Sequence, residues 1–416
     1  MITSTVPNSN TVIMLGCFDT KAEDFSYLYD CLLDQGMNVI SINTGVMGTT
    51  DSFPIDFEAE QVAKAAGTTL SELQNAGDRS VAVEKMGMGA SHIISELLAG
   101  QKAQGAIGMG GGGGTYIAIS AMQSIPMGVP KLCVTTLAAK DLTRQIGVKD
   151  ITLMPSIVDV AGLNNISRMV IRQAAGAISG MMAANVQETN ESVGSIAISI
   201  FGNTTKCVDK CSEILKQDNY DVSTFHSVGI GGKTMESLIL DGYFDAVLDI
   251  TTTELADNLC DGICSSGPDR LTAASQMGIP QVVVPGCLDM VNYGHLDTVP
   301  DRFKDRLLYS WSPDVTLMRT NEEENEILGK ELADKLNKSL GPVKVLLPLK
   351  GISIVSSEGG EFYRPDIDQI LFDSIKKNVN NAIEVIEVDA NINDETFAEQ
   401  AVATLMKMKN KMTSEL

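Results

Sequence analysis

Basic residues are in short supply: 31 lysines and arginines face 53 aspartates and glutamates, a net charge of −22 in 416 residues. Nucleic acid and anionic membranes both attract basic surfaces, so neither is an expected partner of this chain. A basic pocket on an acidic body is still compatible with a phosphate-bearing ligand. Long apolar runs are missing too, which leaves no segment suited to spanning a bilayer. The opening MITSTVPNSN is polar and carries no lysine or arginine, unlike a secretory signal, so a cytoplasmic location is expected. Histidine is scarce, at 3 residues, and the 8 cysteines form no C-x2-C knuckle of the kind a zinc ribbon needs. The two C-x3-C pairs, Cys207/Cys211 and Cys260/Cys264, merely place small apolar side chains on one face of a helix. Reduced thiols are expected. Tandem repeats and low-complexity tracts are absent, apart from one run of glycines.

What is present reads as a soluble globular protein, 44% hydrophobic and 20% charged. Its length suits two or three domains. Apolar, β-rich runs alternate with amphipathic stretches. TVIMLG (11–16), NVISIN (38–43), GAIGMG (105–110) and KLCVTT (131–136) read as strands, with helices at 21–35 and 164–184. A polar stretch, NVQETNESVG (185–194), interrupts the pattern. It then restarts with SIAISIF, YDVSTF, FDAVLDI, QVVVPG, VKVLLPL and IEVIEVD as strands, and a helix at 321–338. Strands separated by helices imply parallel sheets with right-handed crossovers. The expectation is two Rossmann-like α/β domains, 1–188 and 193–416, with ligand sites beyond the strands' carboxyl ends.

Five consecutive glycines, Gly110, Gly111, Gly112, Gly113 and Gly114, stand with Thr115 between the strand GAIGMG and the helix-forming YIAISAM. Such a turn lets backbone N–H groups approach an anion, aided by the dipole of the helix. A P-loop requires a lysine before the hydroxyl residue, and none precedes Thr115. A nicotinamide site wants a carboxylate about 20 residues on, where this chain has Pro130-Lys131-Leu132-Cys133, so a dehydrogenase is disfavoured. The plain alternative is a tight turn that brings helix and sheet together. One or two glycines suffice for that, and five carry a large entropic cost, so a phosphate-bearing ligand is the better reading. Asp19, Thr20 and Lys21 follow the first strand, while Thr135 and Thr136 end the KLCVTT run; all five belong to the same expected site.

Several longer motifs point further: PMGVPK, DVAGLN, LDITTTELAD, PDRL, VVPGCLDMVNYG, TLMRT and PLKG. Together they resemble the largely uncharacterised family that includes the tomato mosaic virus resistance protein, in its N-terminal ATP-binding region. The resemblance runs from about Asp19 to Asp394. It implies a two-domain α/β protein that binds ATP, with Mg²⁺ as a candidate companion, and that forms a homodimer. A separate protein with a phosphoenolpyruvate-hydrolase-like barrel is an implied partner, because longer family members carry such a region. The chain departs from the family pattern at Gly112, where a serine is usual, at Ala138-Ala139-Lys140-Asp141 and Gln145, and at Trp311-Ser312.

The second half offers its own candidates. FHSVGIGGKTMESL places His226 at a strand end, then Gly229, Gly231, Gly232 and Lys233 at a helix start. FDAVLDITTTELAD ends a strand at Asp249 and follows it with Thr251, Thr252, Thr253 and Glu254. Thr251-x-x-Glu254 fits a capping box, whose ordinary job is to start a helix. The same hydroxyls are suited to a substrate oxyanion, with Glu254 or Asp249 as base. Arg270, Arg319 and Lys350 recur at strand ends as an anion pocket, and Asp289 and Asn292 complete its rim. Asp78 reads as a helix N-cap and Arg79 as its solvated neighbour. The leading expectation is an ATP-dependent enzyme acting on a small anionic metabolite between the domains, with His226, Lys233, Asp249 and Glu254 catalytic. The alternative is a non-catalytic, nucleotide-dependent binding or regulatory protein.

Overall fold

In the computed structural model of the protein, residues 10–184 and 192–415 are described. The first nine residues and 185–191, within the expected linker, lie outside them. The chain divides into two compact units, 1–188 and 189–416.

The first unit is a five-stranded, all-parallel sheet. Its strands are β1 (Thr11–Gly16), β2 (Asn38–Asn43), β3 (Gly105–Gly110), β4 (Lys131–Thr135) and β5 (Thr152–Pro155), in the spatial order β2-β1-β3-β4-β5. β1, β3 and β4 are buried along their whole length, which is why they read as unbroken apolar runs rather than alternating ones. One face is covered by α1 (Phe18–Asp34) and, at the end of the unit, by Asn165–Ala183; their apolar sides pack around Phe18, Phe25, Leu28, Val170 and Ile178. The other face carries α2 (Ala59–Ala65), α3 (Leu70–Ala76), α4 (Arg79–Ala99) and α5 (Gly112–Met122). Two glycines on α4 make that packing close. A Cβ on Gly89 would stand 1.9 Å from the carbonyl oxygen of Val62, and one on Gly87 2.8 Å from Ser120 Oγ. The short α6 (Thr143–Ile146) precedes β5, and the Asn165–Ala183 helix is α7. Strand order reverses at β1, so the crevice between the carboxyl ends of β1 and β3 is where a sheet of this kind accepts ligands.

The second unit has six parallel strands: β6 (Ser195–Ile200), β7 (Asp221–His226), β8 (Ala246–Thr251), β9 (Gln281–Gly286) and two more described below. Helices α8 (Thr205–Gln217), α9 (Ile230–Leu240), α10 (Thr253–Leu259) and α11 (Ala273–Met277) connect them. After β9 the chain builds a small antiparallel sheet from β10 (Met290–Tyr293), β11 (Leu308–Ser312) and β12 (Val315–Arg319), in the order β10-β12-β11. It then runs through α12 (Glu322–Leu336), β13 (Val343–Pro348), α13 (Pro365–Asn378), β14 (Glu384–Val388) and α14 (Glu395–Glu415). The parallel order is β14-β13-β9-β8-β6-β7. The expected Rossmann-like, mainly parallel class is therefore what the chain adopts in both units, and the antiparallel insert is an addition to it.

Candidate functional site

At the carboxyl ends of β1, β2 and β3 lies a cleft of about 610 Å³. Gly110 to Gly114 line it, together with Asp19, Thr20 and Lys21 from the β1–α1 junction. Sequence reasoning placed these two segments on one sheet edge, and the structure brings them together. The loop Thr44–Met47 after β2 closes one side. Gly111 is the N-cap of α5 and offers no side-chain cap. Thr115 N already donates to Gly111 O at 2.8 Å, but the N–H groups of Gly112, Gly113 and Gly114 precede the first intrahelical bond. A Cβ on Gly112 would meet nothing within 4 Å, so that glycine is not required by packing. Open space against bare helix N–H groups suits an anion.

Two expected ligand residues face elsewhere. Thr115 and Thr135 are each 1% exposed, and their hydroxyls bond one another at 2.6 Å. Thr115 Oγ1 also donates to Gly110 O at 3.1 Å, so the pair braces the turn from behind instead of lining the cleft. Thr136 is exposed, with its Oγ1 3.9 Å from a Cβ position on Gly111. Beside it Asp159 Oδ1 lies 3.8 Å from the same point. Asp19 accepts the backbone N–H of Met47 on Oδ2 at 2.9 Å, while its Oδ1 is buried without a partner. Cys17 sits within electrostatic reach of Asp19, Lys21 and Arg79, and burial pushes its thiol up.

Asp159 and Arg79 also line the cleft, although neither was expected as a ligand residue. Asp159 opens the DVAGLN motif, which was informative for kinship but silent on geometry. Asp78 does cap α4, its Oδ1 accepting Ser80 N at 2.8 Å and Val81 N at 3.2 Å, as expected. Its neighbour Arg79 is exposed, but it points to the glycine turn. Of the family departures, Gly112 lies on the cleft, Ala138 and Ala139 border a neighbouring cavity of about 410 Å³, and Trp311-Ser312 fall on β11. Lys140 is exposed, and Gln145 lies on α6, where its carbonyl accepts Gln123 Nε2 at 2.6 Å.

In the second unit most candidates are consumed by internal bonding. Arg270 is fully buried and every guanidinium N–H is used. Nη1 and Nη2 reach the two oxygens of Asp249 at 2.6 Å each, Nη1 also reaches Glu236 at 3.1 Å, Nη2 the carbonyl of Thr251 at 3.0 Å, and Nε reaches Glu254 at 2.6 Å. Burial alone would lower its pKa, but three carboxylates outweigh that and hold it well above the usual value. Glu254 puts its other oxygen on the N–H groups of Gly229 (2.8 Å) and Gly232 (3.1 Å). The anion at the second glycine turn is therefore the protein's own carboxylate. Added Cβ atoms on Gly231 and Gly232 would stand 1.8 Å from His226 O and 2.1 Å from Glu254 Oε2, so both glycines answer to packing. The capping-box expectation fails on the same ground: α10 is N-capped by Thr252 without a side-chain bond, and Glu254 crosses to α9. Burial raises its pKa against the pull of Arg270 and the glycine N–H groups.

The three threonines are fully buried. Thr251 Oγ1 pairs with Thr204 Oγ1 at 2.7 Å, Thr252 Oγ1 donates to Val284 O at 3.2 Å, and Thr253 Oγ1 accepts from Asn292 Nδ2 at 3.3 Å. Asn292 also donates to Asp257 at 2.7 Å, and burial pushes the Asp257 carboxyl up to about 7. Asp289 accepts Ser353 Oγ at 2.8 Å. One side-chain oxygen each on Asp289 and Asn292 is buried without a partner. Arg319 pairs with Asp368 at 2.6 Å and donates to the carbonyls of Phe362 and Asp289. Lys350 is an exposed residue paired with Asp389. The expected anion pocket of Arg270, Arg319 and Lys350 thus resolves into three separately neutralised cations. His226 and Lys233 are exposed, the former with its ring 5.6 Å from that of Phe201.

Comparison with known proteins agrees with this division. Residues 10–187 match the N-terminal domain, and residues 194–409 the C-terminal domain, of an uncharacterised protein family (UPF0261). A family protein of Clostridium tetani is 41% identical over 401 residues, covering 96% of this chain and 99% of that one. A relative in Rhizobium meliloti is 38% identical over the same shares. The tomato ToMV resistance protein Tm-1(GCR237) is 32% identical over 97% of this chain but only 56% of its own length. A putative UDP-N-acetylglucosamine 2-epimerase from Listeria monocytogenes aligns with 66% of this chain and 79% of its own, at 11% identity and a TM-score of 0.24, too low to bear on function. No helix among the described residues is long and apolar enough to cross a membrane. With two family domains in order and relatives matched almost end to end, the chain belongs to the uncharacterised family UPF0261.

Proposed function

We propose that the first unit is an ATP-binding domain that seats the nucleotide's phosphates on the Gly110–Gly114 turn. The observation that carries this reading is the set of uncapped N–H groups at the start of α5, facing a cleft of about 610 Å³ at the sheet's switch point. The donor set fits a polyphosphate: backbone N–H groups, Lys21 and Arg79. Among the described residues no three His, Cys, Asp or Glu side chains gather into a metal cluster. Mg²⁺ would arrive with the phosphates, held by one or two carboxylates, and Asp19 and Asp159 both line the cleft. ATP would bring an activated phosphoryl group; the chain's own residues would bind and orient it.

Between an enzyme and a nucleotide-dependent binding protein, the internal use of Glu254, Asp249 and Arg270 favours the binding protein. Those residues are matched to one another, not to a ligand. An enzyme acting on a small anionic metabolite would rely on His226 and Lys233 instead. Homodimer formation and a separate barrel partner remain part of the proposal through the family resemblance, as does a cytoplasmic location. Calorimetric titration with ATP and Mg²⁺ tests the central claim. Wild type should bind, and Gly112→Val should lose binding while melting at the wild-type temperature. Absence of binding by wild type would overturn the reading.

A further inference from the structure

Arg79 is the first residue of α4, and Asp78, the adjacent carboxylate, spends itself on the backbone N–H groups of Ser80 and Val81. The guanidinium of Arg79 makes no ion pair or side-chain hydrogen bond among the described residues. Others in the chain do: Arg270, Arg302, Arg306, Arg319 and Arg364 each face a carboxylate. Arg168 and Arg172 engage Tyr27 instead, and Arg144, like Arg79, has no ion pair among the described residues. Its position is specific as well. Nη2 and Nε lie 3.3 and 3.9 Å from the point where a Cβ on Gly113 would stand. The cation therefore lies over the start of α5, whose own N-terminus carries positive partial charge. Across the cleft Lys21 adds a second cation at the kink of α1, where its backbone leaves helical geometry (φ −128°, ψ 25°). Two basic side chains and the uncapped start of α5 thus face one cavity, beside the carboxylates of Asp19, Asp78 and Asp159 that also line it.

We propose that Arg79 is the phosphate clamp of this cleft, gripping the polyphosphate beside the glycine N–H groups, with Lys21 as its counterpart. The assignment rests on the nucleotide reading of the same cleft and adds its selectivity: the site reads phosphate charge, so polyphosphates are held and the uncharged nucleoside is not. A side chain at Gly113 would crowd the guanidinium, whose Nη2 stands 3.3 Å from the Cβ position. A lysine at 79 would keep the charge and lose the planar fork that grips two oxygens at once.

The test titrates wild type, Arg79→Gln and Arg79→Lys with tripolyphosphate, ATP and adenosine by calorimetry, with thermal melts as the folding control. Removing a charge-assisted contact should weaken tripolyphosphate and ATP by about 10- to 100-fold in Arg79→Gln, with a partial loss in Arg79→Lys. Melting temperatures should stay together, because the Arg79 side chain is exposed and makes no ion pair or side-chain hydrogen bond among the described residues. Undiminished ATP and tripolyphosphate affinity in Arg79→Gln overturns the clamp and leaves the nucleotide reading standing. Arg79-dependent binding of tripolyphosphate with no ATP binding overturns the nucleotide and keeps the clamp. If wild type binds neither, both fall. Should Arg79→Gln melt early, Arg79→Lys decides, since it keeps the charge and loses only the fork: a partial loss of tripolyphosphate and ATP affinity supports the clamp, undiminished affinity overturns it.

Discussion

Glu254 Oε1 lies 3.1 Å from the backbone nitrogen of Gly232, filling with an internal carboxylate a helix terminus that glycine spacing had marked for a ligand. The glycine turn of the first unit has no such occupant. Glycine followed by a helix is thus one local pattern with two outcomes, decided by whether a distant side chain reaches the terminus first.

That contrast is measurable. Gly232→Ala places a methyl 2.1 Å from Glu254 Oε2 and should destabilise the protein by about 1–3 kcal/mol in urea unfolding. Gly112→Ala meets nothing within 4 Å, so its stability should hold or rise by up to about 1 kcal/mol through helix propensity. Equal costs at both sites would show that the two turns are not different in kind.

Arg270 should be a stability residue. Replacing it with methionine leaves Asp249, Glu236 and Glu254 buried around an empty centre, at a cost of about 3–5 kcal/mol. Lysine should rescue little, because one ammonium cannot reproduce five N–H bonds. Glu254→Gln should also lower the melting temperature, since an amide turned to face Arg270 Nε offers a donor to a donor. A Glu254→Gln protein that melts normally but loses ligand turnover would instead restore Glu254 as a catalytic group.

Asp257 gives the fold a pH dependence of defined sign. Its carboxyl ionises near 3.8 when unfolded and at about 7 when buried. Between those values only the unfolded chain releases the proton, so this group makes the fold progressively less stable as pH rises to about 7, with no further change above it. Asp257→Asn removes that dependence, and the unpartnered Asn292 Oδ1 can turn to accept the new amide. Urea titrations at pH 5 and 7.5 should show the variant gaining on wild type at the higher pH. A gap independent of pH rules the assignment out.

The strands were legible because parallel strands covered on both faces must be apolar throughout; TVIMLG and QVVVPG coincide with β1 and β9 to the residue. The antiparallel insert was not: β10 and β12 fall largely inside motifs, VVPGCLDMVNYG and TLMRT, that carry kinship more strongly than periodicity, and β11 is only five residues long. Helices α2 and α3 escaped because seven residues each make barely two turns, too few to show a period. In α4, whose start Asp78 marked, Gly87 and Gly89 serve close packing and blur the helical pattern. At the site, the glycine turn and Asp19–Lys21 were readable because both follow strands. Arg79 was not, since its approach to Gly113 is a long-range contact with no local signature. The polar residues of TTTE look the same in sequence whether they meet a substrate or each other.

The hydroxyl pair beneath the first turn joins two pieces of chain into one mechanical part. Thr135, while bonded to Thr115, also accepts the N–H of Leu137 at 2.9 Å, so the peptide after β4 hangs from the same hydroxyl that steadies the start of α5. A load placed on the glycine backbone is shared across the sheet edge to Leu137 and the cavity beyond Thr136, rather than absorbed where it lands. The hydroxyl pair thus ties the first turn of α5 to the end of β4.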